Sequence, residues 1–143
     1  MKIALVAHEV KAAELIDFVV AYRELFERHE LYATGTTATM LTDVTRLSIN
    51  RMRPGDQQIG AMVAQNDVDL LIFFRDPLAS LGHQADITAL LRLCDVQSIP
   101  VATNMATAEI LVRSLDLGYF DWRYAVQTKD LRTETELRAS GME

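Results

Sequence analysis

Along the chain, short unbroken apolar runs alternate with stretches whose apolar residues recur every three or four positions. Ile3 to Ala7 is one such run, too brief for a helix and free of polar alternation, so it predicts a buried strand. Ala12, Leu15, Ile16, Val19 and Val20 then mark one face of an amphipathic helix. Leu31 to Ala33 predicts a second strand, ending at Thr34-Gly35-Thr36-Thr37, with a helix following through Leu41. A third strand is expected around Leu47 to Met52. Pro54-Gly55 breaks the chain, and Ile59, Met62 and Val63 mark the next helix. Leu70 to Phe74 is the clearest strand, after which Ile87, Leu90, Leu91 and Cys94 return to helical spacing. Pro100 to Thr103 predicts a fifth strand, and Ala108, Leu111, Val112 and Leu115 a last helix.

Strands this apolar are buried on both faces, which is the signature of a parallel sheet covered by helices. The pattern therefore predicts an α/β fold, a three-layer sandwich with a central, mostly parallel five-stranded sheet and helices on both faces. Residues 1–127 form the expected domain. The remainder, 128–143, is polar and unpatterned, and is expected to be partly mobile or docked on a neighbouring subunit. Sheets of this kind bind ligands beyond the carboxyl ends of their strands. His8 and Glu9 follow the first strand, Thr34 to Thr37 the second, Asp56 the third, Asp76 the fourth and Asn104 the fifth. That edge is the candidate site.

Composition narrows the ligand. A chain of 143 residues, half of them hydrophobic, can bury one core without staples. Its net charge of −6 argues against nucleic acid as a partner. A small anion remains possible, because local amides and one or two cations can bind phosphate against an unfavourable total charge. The single cysteine, Cys94, cannot close an intrachain disulfide, and no paired Cys/His spacing suggests a metal site. The N-terminal apolar run is too short for a signal peptide, and nothing approaches a membrane span, so a soluble cytoplasmic protein is expected.

At Thr34-Gly35-Thr36-Thr37 a strand turns into a helix. A glycine permits a tight turn there, and the free amides and dipole of the helix favour an anion. The same residues equally describe a threonine cap and a turn glycine. Asp56, after Pro54-Gly55, reads as a site carboxylate or a helix cap. Asp76-Pro77 reads as a carboxylate aimed into the site or as the start of a turn. His83 and Asp86 lie three apart, a spacing that lets a carboxylate orient an imidazole or merely cap the Ile87 helix. His8 follows the first strand directly. His29 is expected at the end of the first helix, as a cation near its C-terminus. Taken together, the set suits proton abstraction next to a carbonyl in a small phosphorylated molecule.

Several segments jointly resemble the methylglyoxal synthase family, in the family's order and over roughly residues 2 to 122. They are Ile3 to His8, Leu31 to Thr37, Gly55 to Ala61, Leu71 to Leu78, His83 to Asp86, Ala89 to Asp95 and Ile99 to Asn104. The resemblance implies conversion of dihydroxyacetone phosphate to methylglyoxal and inorganic phosphate, with no metal or organic cofactor. By that resemblance Asp56 matches the catalytic base and His83 a residue that polarises or shuttles protons between the substrate oxygens. Asp86 and Asp76 match supporting carboxylates, while His8 and Thr34, Gly35, Thr36 and Thr37 match substrate-binding positions. It also implies a homo-hexamer regulated by phosphate, in which Arg92 matches a family position.

Two segments depart from the family pattern. A Ser-Gly-Pro-x-Gly-Gly stretch usual before the base is replaced by the shorter Arg51-Met52-Arg53-Pro54-Gly55. A lysine usual four residues after the first histidine is replaced by Ala12, with Lys11 one place earlier and Glu9 in place of an aspartate. Lys11 is accordingly a candidate substrate ligand. Arg51 or Arg53 is expected to supply charge where backbone amides were lost, since arginine grips phosphate bidentately. Alternatives are a non-catalytic small-anion-binding domain of the same fold, or a lyase or isomerase acting on another small phosphate ester.

Overall fold

The computed structural model describes residues 1–52, 56–78 and 84–125, with the backbone alone at 56–57 and 84–86. Five strands form the sheet: β1 Lys2–Ala7, β2 Glu30–Thr34, β3 Ile49–Met52, β4 Leu70–Phe74 and β5 Val101–Ala102. They are accompanied by the helices α1 Ala12–Ala21, α2 Arg23–Glu27, α3 Gly35–Thr45, α4 Asp56–Ala64, α5 Gln84–Gln97 and α6 Met105–Asp116. A single 3-10 turn, Glu9–Lys11, joins β1 to α1.

Every strand pair is parallel, and the order is β3-β2-β1-β4-β5. The chain thus builds outward from β1 in one direction, then returns to lay β4 on its other side. The reversal leaves a crevice beyond the carboxyl ends of β1 and β4, where such folds hold ligands. Ile3, Ala4, Leu5, Leu70, Leu71 and Ile72 are fully buried, as strands covered on both faces must be. One face carries α4 and α5, whose Ile59, Val63, Ile87, Leu90 and Cys94 pack on Ala4, Val6, Leu71 and Phe73. On the other face α1 and α3 pack on each other and on β1, and Phe74 meets Phe18 of α1. Compact packing divides the chain into Met1–Val112 and Arg113–Glu143. The boundary expected at 127/128, and the tail beyond it, lie outside the described residues.

The expected elements are all present, with three differences. First, the initial helix is two: at Tyr22 the backbone leaves the helical region (φ −112°, ψ 27°) and α2 begins. The break lets Arg23 Nε donate to the Thr45 carbonyl at 2.7 Å, placing a cation on the C-terminus of α3. His29 therefore follows α2 rather than the first helix, and its Nδ1 lies 3.2 Å from the Met1 amine. Second, α3 runs past Leu41 to Thr45 and stops where Arg46 takes a left-handed conformation, φ 61°. That stop moves the start of β3 from Leu47 to Ile49. Third, α4 and α5 end on left-handed Asn66 and Ser98, without glycine. In each the following amide returns five residues, Asp67 N–H to the Met62 carbonyl and Ile99 N–H to that of Cys94, closing a Schellman motif. Among the described residues no helix is long and apolar enough to cross a membrane.

Candidate active site

Ala7 and Phe74 are register partners at the ends of adjacent strands, so the residues just beyond them emerge side by side. His8 N–H donates to the Phe74 carbonyl at 3.1 Å, and the Asp76 N–H donates to His8 Nδ1 at 2.7 Å. A backbone N–H can only donate, so Nδ1 is the unprotonated nitrogen and the ring proton sits on Nε2. The half-buried ring rests edge-on against Phe73, with centroids 5.2 Å apart at 84°. His8 is thereby a fixed N–H donor. Asp76 Oδ1 accepts the Leu78 N–H at 2.9 Å, the turn that its neighbour Pro77 favours. The Asp76 carboxylate takes part in the turn, and its backbone orients His8.

Thr34, extended at φ −74° and ψ 154°, stands at the N-cap of α3 but makes no side-chain capping bond. By contrast Asn104, at the start of α6, caps it through Oδ1 and the Thr107 N–H at 3.0 Å. The leading amides of α3 thus lack the usual internal partner, which is the condition for receiving an anion. Gly35 is helical, outside the left-handed region, and a Cβ there would meet nothing nearer than Arg51 Nε at 4.0 Å. The chain therefore turns here without needing glycine's conformational freedom. Arg51 Nη2 donates to the Gly35 carbonyl at 2.9 Å and also to Thr39 Oγ1.

Asp56 is the first residue of α4, and Asp86 lies in the first turn of α5. In a parallel α/β fold a helix that follows a strand begins at the carboxyl edge, so both positions open at the edge that carries His8. They do so on His8's own face, because Phe73, beneath its ring, belongs to the core shared with α4 and α5. His83 and Arg53 lie outside the described residues.

Lys11 lies in the turn between β1 and α1. Its Nζ pairs with Glu14 at 3.5 Å, and both line a cavity of about 370 Å³ with Phe74, Arg75, Thr103 and Asn104. Arg75 and Pro77 flank Asp76, and Thr103 and Asn104 follow β5, so this cavity opens at the carboxyl edge that carries His8. Sequence reasoning joined His83 to Asp86 and left His8 and Asp76 unpaired. The signal that links the latter two is strand register, which a single sequence does not display.

Cys94 is fully buried, and burial, with Asp95 adding repulsion, pushes its thiol from the ordinary 9 up to about 11. The folded state keeps the thiol neutral, so this stability is complete below pH 9 and is lost as pH rises through about 11. At pH 8 a thiol reagent should attack native Cys94 at least about 100-fold more slowly than in urea-unfolded chain, measured by absorbance.

Topology and polar edge together define a class, the small parallel α/β domains that hold an anion at their switch point. Comparison places the chain within it. The MGS-like domain family matches residues 14–103. A methylglyoxal synthase of Geobacillus sp. is 53% identical over 131 residues, 89% of this chain and 94% of that protein. The Bacillus subtilis methylglyoxal synthase is 54% identical over 127 residues, 86% of this chain and 93% of that protein. A crystal structure of the methylglyoxal synthase from Elizabethkingia anophelis superposes with a TM-score of 0.72 at 37% identity, covering 78% of this chain and 76% of that one. The chain belongs to the methylglyoxal synthase family.

Proposed function

We propose that the chain works as a methylglyoxal synthase, a lyase that converts dihydroxyacetone phosphate to methylglyoxal and inorganic phosphate. The observation that carries the chemistry is the pairing of two features on adjacent strands. One is the uncapped start of α3, and the other is His8 held as an Nε2–H donor.

Dihydroxyacetone phosphate sits with its phosphate on the leading amides of Thr34 to Thr37, where the helix dipole favours negative charge. Asp56 takes a proton from the hydroxymethyl carbon, and the electron pair moves onto the carbonyl oxygen as an enediolate. His83, with Asp86 behind it, polarises that carbonyl and carries a proton between the two oxygens. The His8 Nε2–H donates to the anionic ligand, and Asp76 acts through His8 by fixing its tautomer. The enediolate then expels phosphate: the C–O bond to the phosphoryl group breaks, its electrons leave with phosphate, and the remaining enol tautomerises to methylglyoxal. No electrons are gained or lost overall. Elimination needs that C–O bond out of the enediolate plane, so the grip on phosphate is part of the chemistry.

Inorganic phosphate, as product, occupies the same loop and is the natural regulator. A cytoplasmic location suits a substrate of this kind. Exposed Val10, Leu78, Val96 and Ile110 support assembly into a homo-oligomer, a hexamer by family resemblance. The second reading, an anion-binding domain without catalysis, draws on the shortened segment before Asp56. Purified protein incubated with dihydroxyacetone phosphate should release methylglyoxal and phosphate in equal amounts, followed colorimetrically. Phosphate binding without any methylglyoxal would establish the second reading instead.

A further inference from the structure

Arg51 lies on β3 opposite Ala33, one residue short of the strand's end. From there its guanidinium reaches the first turn of the neighbouring helix. Nη2 donates to the Gly35 carbonyl at 2.9 Å and to Thr39 Oγ1, and the Thr39 hydroxyl donates to the same carbonyl at 3.1 Å. This is a poor place for a cation in the empty protein. The aligned peptide dipoles put roughly half a positive charge at a helix N-terminus. The first turn of α3 carries no acidic residue, and among the described residues no carboxylate pairs with Arg51. The exposed guanidinium is met by two neutral oxygens, the Gly35 carbonyl and the Thr39 hydroxyl, and by no carboxylate among the described residues. An anion on the leading amides would answer guanidinium and helix dipole at once.

We infer that Arg51 is a positioning residue for the substrate phosphate, clasping the first turn of α3 to β3 and lending its charge to the anion held there. The inference rests on reading Thr34 to Thr37 as the phosphate loop. The clasp ties the phosphate loop to β3, the strand that precedes Asp56 in the sequence.

The sign of the stability change separates this role from that of a brace. A residue that merely braced the fold would lower ligand-free stability when removed. Removing an exposed cation that has no carboxylate partner from a helix N-terminus should leave it level or raise it. For Arg51→Met, the ligand-free Tm should therefore stay within about 2 °C of wild type or rise. The upward Tm shift given by inorganic phosphate should shrink, and KM for dihydroxyacetone phosphate should rise about tenfold. Over the same change kcat should fall by no more than about threefold. Arg51→Lys, which keeps charge but loses the fork, should recover part of KM. An unchanged KM and phosphate shift in Arg51→Met, with wild type making methylglyoxal, would overturn the inference and leave the proposed function standing. So would a ligand-free Tm several degrees lower. If wild type makes no methylglyoxal but phosphate raises its Tm and Arg51→Met loses that rise, the clasp stands and catalysis falls. If phosphate has no effect on wild type, both fall.

Discussion

Asp56→Asn should reduce methylglyoxal formation about a thousandfold at saturating dihydroxyacetone phosphate, the scale of losing a general base. Carbon acids surrender protons slowly, and no neighbouring group can substitute at the same carbon without a comparable position. Asparagine matches aspartate in shape and is equally at home at a helix start. Asp56 opens α4, so the exchange should cost only about 0.5 kcal/mol from the lost charge–dipole attraction. Phosphate should still raise the Tm of the variant as it does for wild type, because the anion loop lies on α3. That combination, binding kept and turnover lost, isolates the base. A variant turning over within tenfold of wild type would remove Asp56 from the mechanism proposed here.

The fold was legible because its two central strands, β1 and β4, are buried on both faces. Leu70 to Phe74 carries five consecutive apolar residues, and no other environment in a small protein tolerates such a run. Helix stops were less legible. Glycine usually marks them, whereas here Arg46, Asn66 and Ser98 take the left-handed position. The break at Tyr22 has no glycine or proline either, and it coincides with a tertiary bond from Arg23 to the end of α3. The site divides in the same way. Local motifs placed Gly35 at the start of α3 and Asp56 and Asp86 in the first turns of α4 and α5, because strand–turn–helix grammar is written in adjacent residues. Lys11 illustrates what position alone cannot tell. One residue of helical rotation, about 100°, redirects a side chain, and Lys11 pairs with Glu14 at the rim of the cavity beside Arg75 and Asn104. The Asp76 amide on His8 joins residues 68 apart in sequence, which only the β1–β4 register brings together.

That contact leads to the second large effect. His8→Asn should lower kcat/KM about a hundredfold while leaving the fold intact, measured by steady-state kinetics and thermal unfolding. Asparagine Oδ1 can occupy the place of Nδ1 and go on accepting the Asp76 N–H, so the turn at Asp76-Pro77 keeps its anchor. What asparagine lacks is any group at the position of Nε2, the donor offered to the ligand. His8→Leu removes both, and should lose the same activity plus about 1 kcal/mol of stability for the half-buried amide left without its acceptor. The stability gap between the two variants therefore reads the Asp76 link, and their shared loss of kcat/KM reads the Nε2–H. Equal stability with unequal activity would mean that the donor and anchor roles had been assigned to the wrong nitrogens. An asparagine variant as active as wild type would show that His8 holds the turn and nothing more.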